Sequence, residues 1–101
     1  MVTGVLSQDN LPANYALLQN YPNPFNPSTV ISYELPVAKH VTLKVFDLLG
    51  REVATLVDDY QNAGRYNSQF SILNSKLSSS VYFYRIQAGD FTQTKKMILM
   101  K

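Results

Sequence analysis

Apolar and polar residues alternate along most of this chain, and a period of two admits extended strands with one buried face and little else. In Thr29-Val30-Ile31-Ser32-Tyr33-Glu34-Leu35 the residues Ile31, Tyr33 and Leu35 fall on one face and Ser32 and Glu34 on the other, and Pro36 closes the run. From His40 to Phe46 the same device places Val41, Leu43 and Val45 inward and Thr42 and Lys44 outward, up to a turn at Asp47-Leu48-Leu49-Gly50. A third strand is predicted over Arg51 to Val57, with Asp58 to Gly64 as a polar connection. Tyr66, Ser68 and Phe70 then alternate with Asn67 and Gln69 in a fourth. Val81 to Ala88 is rich in aromatic and β-branched residues, and Gly89-Asp90 separates it from Phe91 to Met100 by the two residues that a type I′ or II′ hairpin needs. Helix has room only at Leu48 to Leu56 or Leu73 to Leu77, both short of the ~10 to 12 residues that mark one. One sheet must cover its apolar face with another, so about seven short strands imply an all-β antiparallel sandwich.

Ahead of the strands, Pro12, Pro22, Pro24 and Pro27 are interleaved with Asn10, Asn14, Asn20, Asn23 and Asn26. Each X-Pro step pushes the preceding residue out of the helical region, and Asn satisfies its own backbone in Asx-turns, so Asn20 to Pro27 is extended or turn-like. Tyr15, Leu17, Leu18, Tyr21 and Phe25 give this stretch apolar weight that a disordered linker lacks. The expected division is a linker over 1–14, a Pro/Asn-rich covering flap over 15–28 anchored by Tyr21 and Phe25, and a sandwich over 29–101. Met1 to Ser7 has no basic region and no apolar run of leader length, so Met1 reads as a boundary inside a longer protein. The longest uncharged apolar stretch, Met97 to Met100, is far short of the ~20 residues of a membrane-spanning helix.

Composition closes several routes to chemistry. At 101 residues one core is expected and a two-domain enzyme is excluded. Nine Lys and Arg against seven Asp and Glu leave a formal net charge of +2, too small to mark a nucleic-acid partner. With no Cys and a single His, thiolate zinc sites, Cys nucleophiles and multi-histidine metal sites are absent, and no cofactor or metal is expected. His40 reads as a strand-edge residue rather than a base. Asp58 and Asp59 read as turn formers rather than a glycosidase pair. Together with Asp47 and Asn62 they could meet calcium, without the spacing of an EF-hand. Gly4, Gly50, Gly64 and Gly89 suit turns, not a phosphate loop. No catalytic residue is assigned. Tyr82 and Tyr84 share one strand face and Phe83 takes the other, so these three aromatics form no single platform and suit core packing. A sugar-binding face of exposed Tyr is the alternative use.

The C-terminus stands apart. Lys95-Lys96-Met97-Ile98-Leu99-Met100-Lys101 sets three cations and no acid around an apolar strand. Lysines guard edge strands against aggregation. The functional reading is an exposed terminal strand that a receptor addresses by adding a strand of its own.

Four pieces occur in order: Leu18-Gln19-Asn20-Tyr21-Pro22-Asn23-Pro24-Phe25-Asn26-Pro27-Ser28-Thr29, Val45-Phe46-Asp47 to Gly50-Arg51-Glu52-Val53, Val81-Tyr82-Phe83-Tyr84-Arg85, and Lys95-Lys96-Met97 to Lys101. Over residues 15 to 101 this series resembles the C-terminal sorting domain of type IX (Por) secretion substrates, and more weakly the immunoglobulin-like domain of flagellar hook-capping proteins. The resemblance implies an immunoglobulin-like sandwich and a non-catalytic module that directs a fused cargo, a secreted hydrolase or adhesin, through the outer membrane. Its implied partners are the type IX machinery and a surface sortase-like protease, with the periplasm as transit and the cell surface or medium as destination. Pairing of two copies through the terminal strand is a further option. It assigns the sorting motif to Lys95, Lys96 and Lys101 on the terminal strand, and matches Val81-Tyr82 to a Gly-Val-Tyr element. Ser80 stands where the family usually has Gly, and Phe70-Ser71 where Trp-Asp is common; if that Gly has positive φ, Ser80 is strained. The alternatives are a carbohydrate-binding module or a structural immunoglobulin-like spacer.

Overall fold

The computed structural model describes residues 11–73 and 75–101. The readings of Met1 to Ser7 and Gly4, and residues 1–10 of the linker, lie outside them. Seven strands follow in chain order: β1 (Ala16–Leu17), β2 (Ser28–Leu35), β3 (Lys39–Phe46), β4 (Glu52–Gln61), β5 (Gly64–Ser71), β6 (Ser80–Ala88) and β7 (Phe91–Leu99). They form a three-stranded sheet ordered β1-β2-β5 and a four-stranded sheet ordered β4-β3-β6-β7, with every pairing antiparallel. Among the described residues there is no helix, and the fold is an all-β sandwich.

The core lies between the sheets and follows the alternation. Ile31, Tyr33 and Leu35 of β2, Val41, Leu43 and Val45 of β3, and Tyr82, Tyr84, Ile86 and Ala88 of β6 are all buried. Burial at ~25 cal/mol per Å2 of apolar surface makes this face the main source of stability. Phe70, where Trp is common, is buried and meets Phe25 edge to face at 6.0 Å between centroids. Gly89 adopts φ +58 while Asp90 does not share a positive φ, which is the type II′ pattern, and Ala88 pairs with Phe91.

Three expectations need correction. β4 runs on to Gln61, so Asp58 and Asp59 sit within a strand and the connection shrinks to Asn62 and Ala63. Asp58 to Gln61 pair in unbroken register with Thr42 to Lys39, while register shifts opposite Leu43/Lys44 and Val45/Phe46 fall in the earlier part of β4. Ser80 opens β6 with no positive φ, so no strain attaches to it. Tyr21 is 81% exposed and anchors nothing, whereas Phe25, at 2%, is buried, as is Leu17 of β1, and Tyr15 stacks on Phe91 at 4.9 Å between centroids.

Candidate functional site

The Asn/Pro block and the terminal strand, distant in sequence, meet. Phe25 pairs in parallel with Leu99: its N–H donates to the Ile98 carbonyl at 2.9 Å, and its carbonyl accepts from Met100 N–H at 3.1 Å. The Asn23 side-chain oxygen accepts from Ile98 N–H at 2.9 Å, and Gln19 Nε2 donates to the Lys96 carbonyl at 2.7 Å. From Lys96 onward the outer edge of β7 is therefore occupied by the flap, which corrects the expectation of an open edge ready for a receptor strand.

A buried polar lock fixes the flap. Asn20 Nδ2 donates to the Pro22 carbonyl at 3.1 Å and to Thr29 Oγ1 at 3.0 Å, and Thr29 Oγ1 donates to the same carbonyl at 2.8 Å. The Tyr84 hydroxyl accepts from Asn20 N–H at 2.8 Å and donates to the Leu18 carbonyl at 2.7 Å. Burial pushes the Tyr84 phenol up to about 12, because a phenolate there would lose its water; the Asn20 N–H offsets this only in part. Asn20 and Thr29 are buried, and among the described residues no buried side-chain polar atom lacks a partner. The Tyr21–Pro22, Asn23–Pro24 and Asn26–Pro27 peptide bonds are cis. Pro22, Asn23, Pro24, Asn26 and Pro27 stay on the surface.

Alternation divides the terminal residues. Met97 and Leu99 are buried in the core, and Lys95 shares their inward-facing side. Lys96, Ile98 and Met100 take the outer side, with Lys96 and Met100 exposed and Ile98 half-buried. Lys101 is exposed and its N–H donates to Ser79 Oγ at 2.8 Å. On β6, Val81 pairs with Ile98 and Phe83 with Lys96 across the outer face, whereas Tyr82 is buried and its hydroxyl donates to the Ser78 carbonyl at 2.8 Å. Next to them the Arg85 guanidinium lies 4.5 Å from the Phe46 ring centroid. The outer face thus ends in an apolar strip of Phe46, Val81, Phe83, Ile98 and Met100 flanked by Arg85 and Lys96.

Gly50 and Arg51 serve the β3–β4 turn that borders this strip. Gly50 adopts φ +82, and its N–H donates to the Asp47 carbonyl at 3.0 Å. The Asp47 carboxylate accepts from Leu49 N–H, Arg51 N–H and Arg51 Nε at 2.8–2.9 Å. The Arg51 backbone N–H above all holds that carboxyl below its usual range. His40 Nε2 lies 2.7 Å from Asp58 Oδ1 in an exposed pair. Among the described residues no three His, Asp or Glu side chains cluster as a metal site. Sequence gives Tyr84 only a core-packing role and Gln19 and Thr29 only a place in the resembling block, and the part all three play in holding the flap comes from the fold. Their partners lie up to 77 residues away, which no local pattern encodes.

A model of the secretion system C-terminal sorting domain family matches residues 19–100, spanning both the flap and β7. The chain belongs to that family. The sorting domain is the C-terminal signal of type IX secretion, and domains of this kind are generally non-catalytic. Its fold also matches the crystal structure of dimeric latent PorU from Porphyromonas gingivalis, with a TM-score of 0.66 and 17% identity over 87% of this chain and 10% of that one. At that identity the likeness concerns the fold, and the sorting domain spans about a tenth of that protein's length. None of the curated proteins compared with it matches. A type IX signal implies export across the outer membrane, to the cell surface or into the medium.

Proposed function

We propose that the sorting domain is read by side chains on the outer face of its last hairpin, not by strand addition to its last edge. The observation that carries this is the flap: Gln19, Asn23 and Phe25 take the outward backbone groups of β7 from the Lys96 carbonyl to Met100 N–H. What stays available is Lys96, Ile98, Met100 and Lys101, beside Val81 and Phe83. An apolar strip with cations at its margin suits a receptor surface with apolar side chains and acids. The proposed partners are the type IX machinery and a sortase-like protease at the surface, and the cargo is a secreted hydrolase or adhesin that passes through the periplasm. Residues 1–14 act as the linker, 15–28 as the flap and 29–101 as the sandwich. Pairing of two copies through β7 has only the stretch before Lys96 open to it. A sugar platform has little support, because the exposed Tyr21 bridges to Val30 in one sheet and the exposed Tyr60 pairs with His40 in the other.

The test is a reporter carrying a signal peptide and residues 15–101 in a type IX-competent host. Removing Lys95 to Lys101 would also remove Met97 and Leu99 from the core, so it tests folding as much as address. Lys96→Glu with Lys101→Glu changes only exposed positions. Loss of surface reporter with an unchanged melting temperature is the expected result; undiminished surface display of that variant overturns the reading.

A further inference from the structure

A strand at a sheet margin presents unpaired N–H and C=O groups, which proteins either blunt or use. The margins here are β1, β5, β4 and β7. β1 has two residues. β4 is broken by register shifts and carries Asp58 and Asp59. β7 is covered by the flap from Lys96 onward. Among the described residues β5 has none of these devices: its eight residues keep unbroken register with β2, contain no Pro, and bear one charge, Arg65, 3.4 Å from Glu34. Ile72 N–H donates to the Pro27 carbonyl, which sets the parity of the ladder. Tyr66, Ser68 and Phe70 bond toward β2, and the backbone groups of Asn67, Gln69 and Ser71 point away from it, to the margin.

We propose that β5 pairs antiparallel with β5 of a second copy of this chain and joins the two three-stranded sheets into one. The strand is self-complementary about Ser68. A two-fold axis there sets Asn67 opposite Gln69 of the second copy, Arg65 opposite Ser71 and Tyr66 opposite Phe70. Directly opposed residues of an antiparallel pair share a face. The inner aromatic row therefore continues across the junction, the outer row pairs amide with amide, and the strand's single cation meets a hydroxyl. Like charges never face each other along the seam. An isologous contact of this kind closes as a dimer and does not propagate.

Sedimentation equilibrium of the full chain should show the mass rising from 11.4 kDa toward twice that value with concentration. Asn67→Lys with Gln69→Lys, both exposed positions, sets Lys opposite Lys and should return the chain to monomer with an unchanged circular dichroism spectrum. Asn67→Pro removes one outward N–H without touching the bonds to β2 and should do the same. Because the chain has no Cys, Ser68→Cys should give a disulfide-linked dimer on oxidation, its residue lying opposite itself at a non-hydrogen-bonded pair. A mass that stays monomeric at every concentration, or a dimer that survives the Lys pair, overturns the proposal. So does a dimer lost on Lys96→Glu with Lys101→Glu and retained by the Lys pair.

Discussion

Phe25→Ala removes the side chain that packs the Asn/Pro block of the flap onto the sandwich. Phe25 is 2% exposed and packs edge to face on Phe70, and its backbone lies between Ile98 and Met100. Truncating a buried Phe costs about 3–5 kcal/mol, through lost transfer energy and the cavity left behind. Domains of this size lose roughly 4–8 °C of melting temperature per kcal/mol, so a drop of at least about 12 °C is expected by calorimetry. Phe25→Leu, which fills most of the cavity, should cost under about 1.5 kcal/mol. The loss should also be regional. Ile98 N–H bonds to Asn23 and Met100 N–H to Phe25, so their hydrogen exchange should accelerate beyond the global change seen for β3 and β6 amides. A fall of under about 4 °C with unchanged protection at Ile98 and Met100 would refute a packed flap.

Tyr84→Phe leaves Asn20 N–H and the Leu18 carbonyl without their partner and should cost about 1–3 kcal/mol in chemical denaturation. The same phenol sets an alkaline limit: its folded pKa, about 12, exceeds the ~10 of an unfolded Tyr, so its contribution is complete below pH ~10 and is lost as pH rises toward 12. Tyr84→Phe should flatten that decline, and a decline of equal depth in the variant would show that other groups cause it. Asp47 has the opposite sign. Its depressed carboxyl contributes above its unfolded value and ceases to as pH falls through the folded one, so Asp47→Asn should lower the melting temperature at neutral pH and flatten the acid side of the stability curve. Ser80→Gly should destabilise by about 0.5–1 kcal/mol, since Ser80 already has an ordinary strand φ; a gain in stability would show that a strained backbone had been relieved.

The alternating core was legible because period two is a local property. Ile31, Tyr33, Leu35, Val41, Leu43 and Val45 were named from spacing, and each is at most 1% exposed. β4 was shortened because Asp58 and Asp59 favour turns locally, while pairing with Thr42 and Val41 across the sheet overrides that preference. Tyr21 and Phe25 looked equivalent for a related reason. Their fates depend on where the flap meets β7, a long-range matter that neighbouring residues do not encode. At the candidate site, sequence brought Lys96, Met97 and Lys101 together as one motif. The fold separates them, because successive strand residues face opposite ways and Met97 belongs to the core.

The parallel run of the flap along β7 has a mechanical consequence. In the arrangement proposed above, with cargo fused ahead of the flap and the tail held by its receptor, a pull acts along the two segments in opposite directions. The bonds from Phe25 to Ile98 and Met100, with those from Asn23 and Gln19, then bear the force together in shear and do not unzip one after another. Tension between a moving passenger and its captured tail would load the short β1–β2 pairing on the passenger side and this seam on the side of the tail.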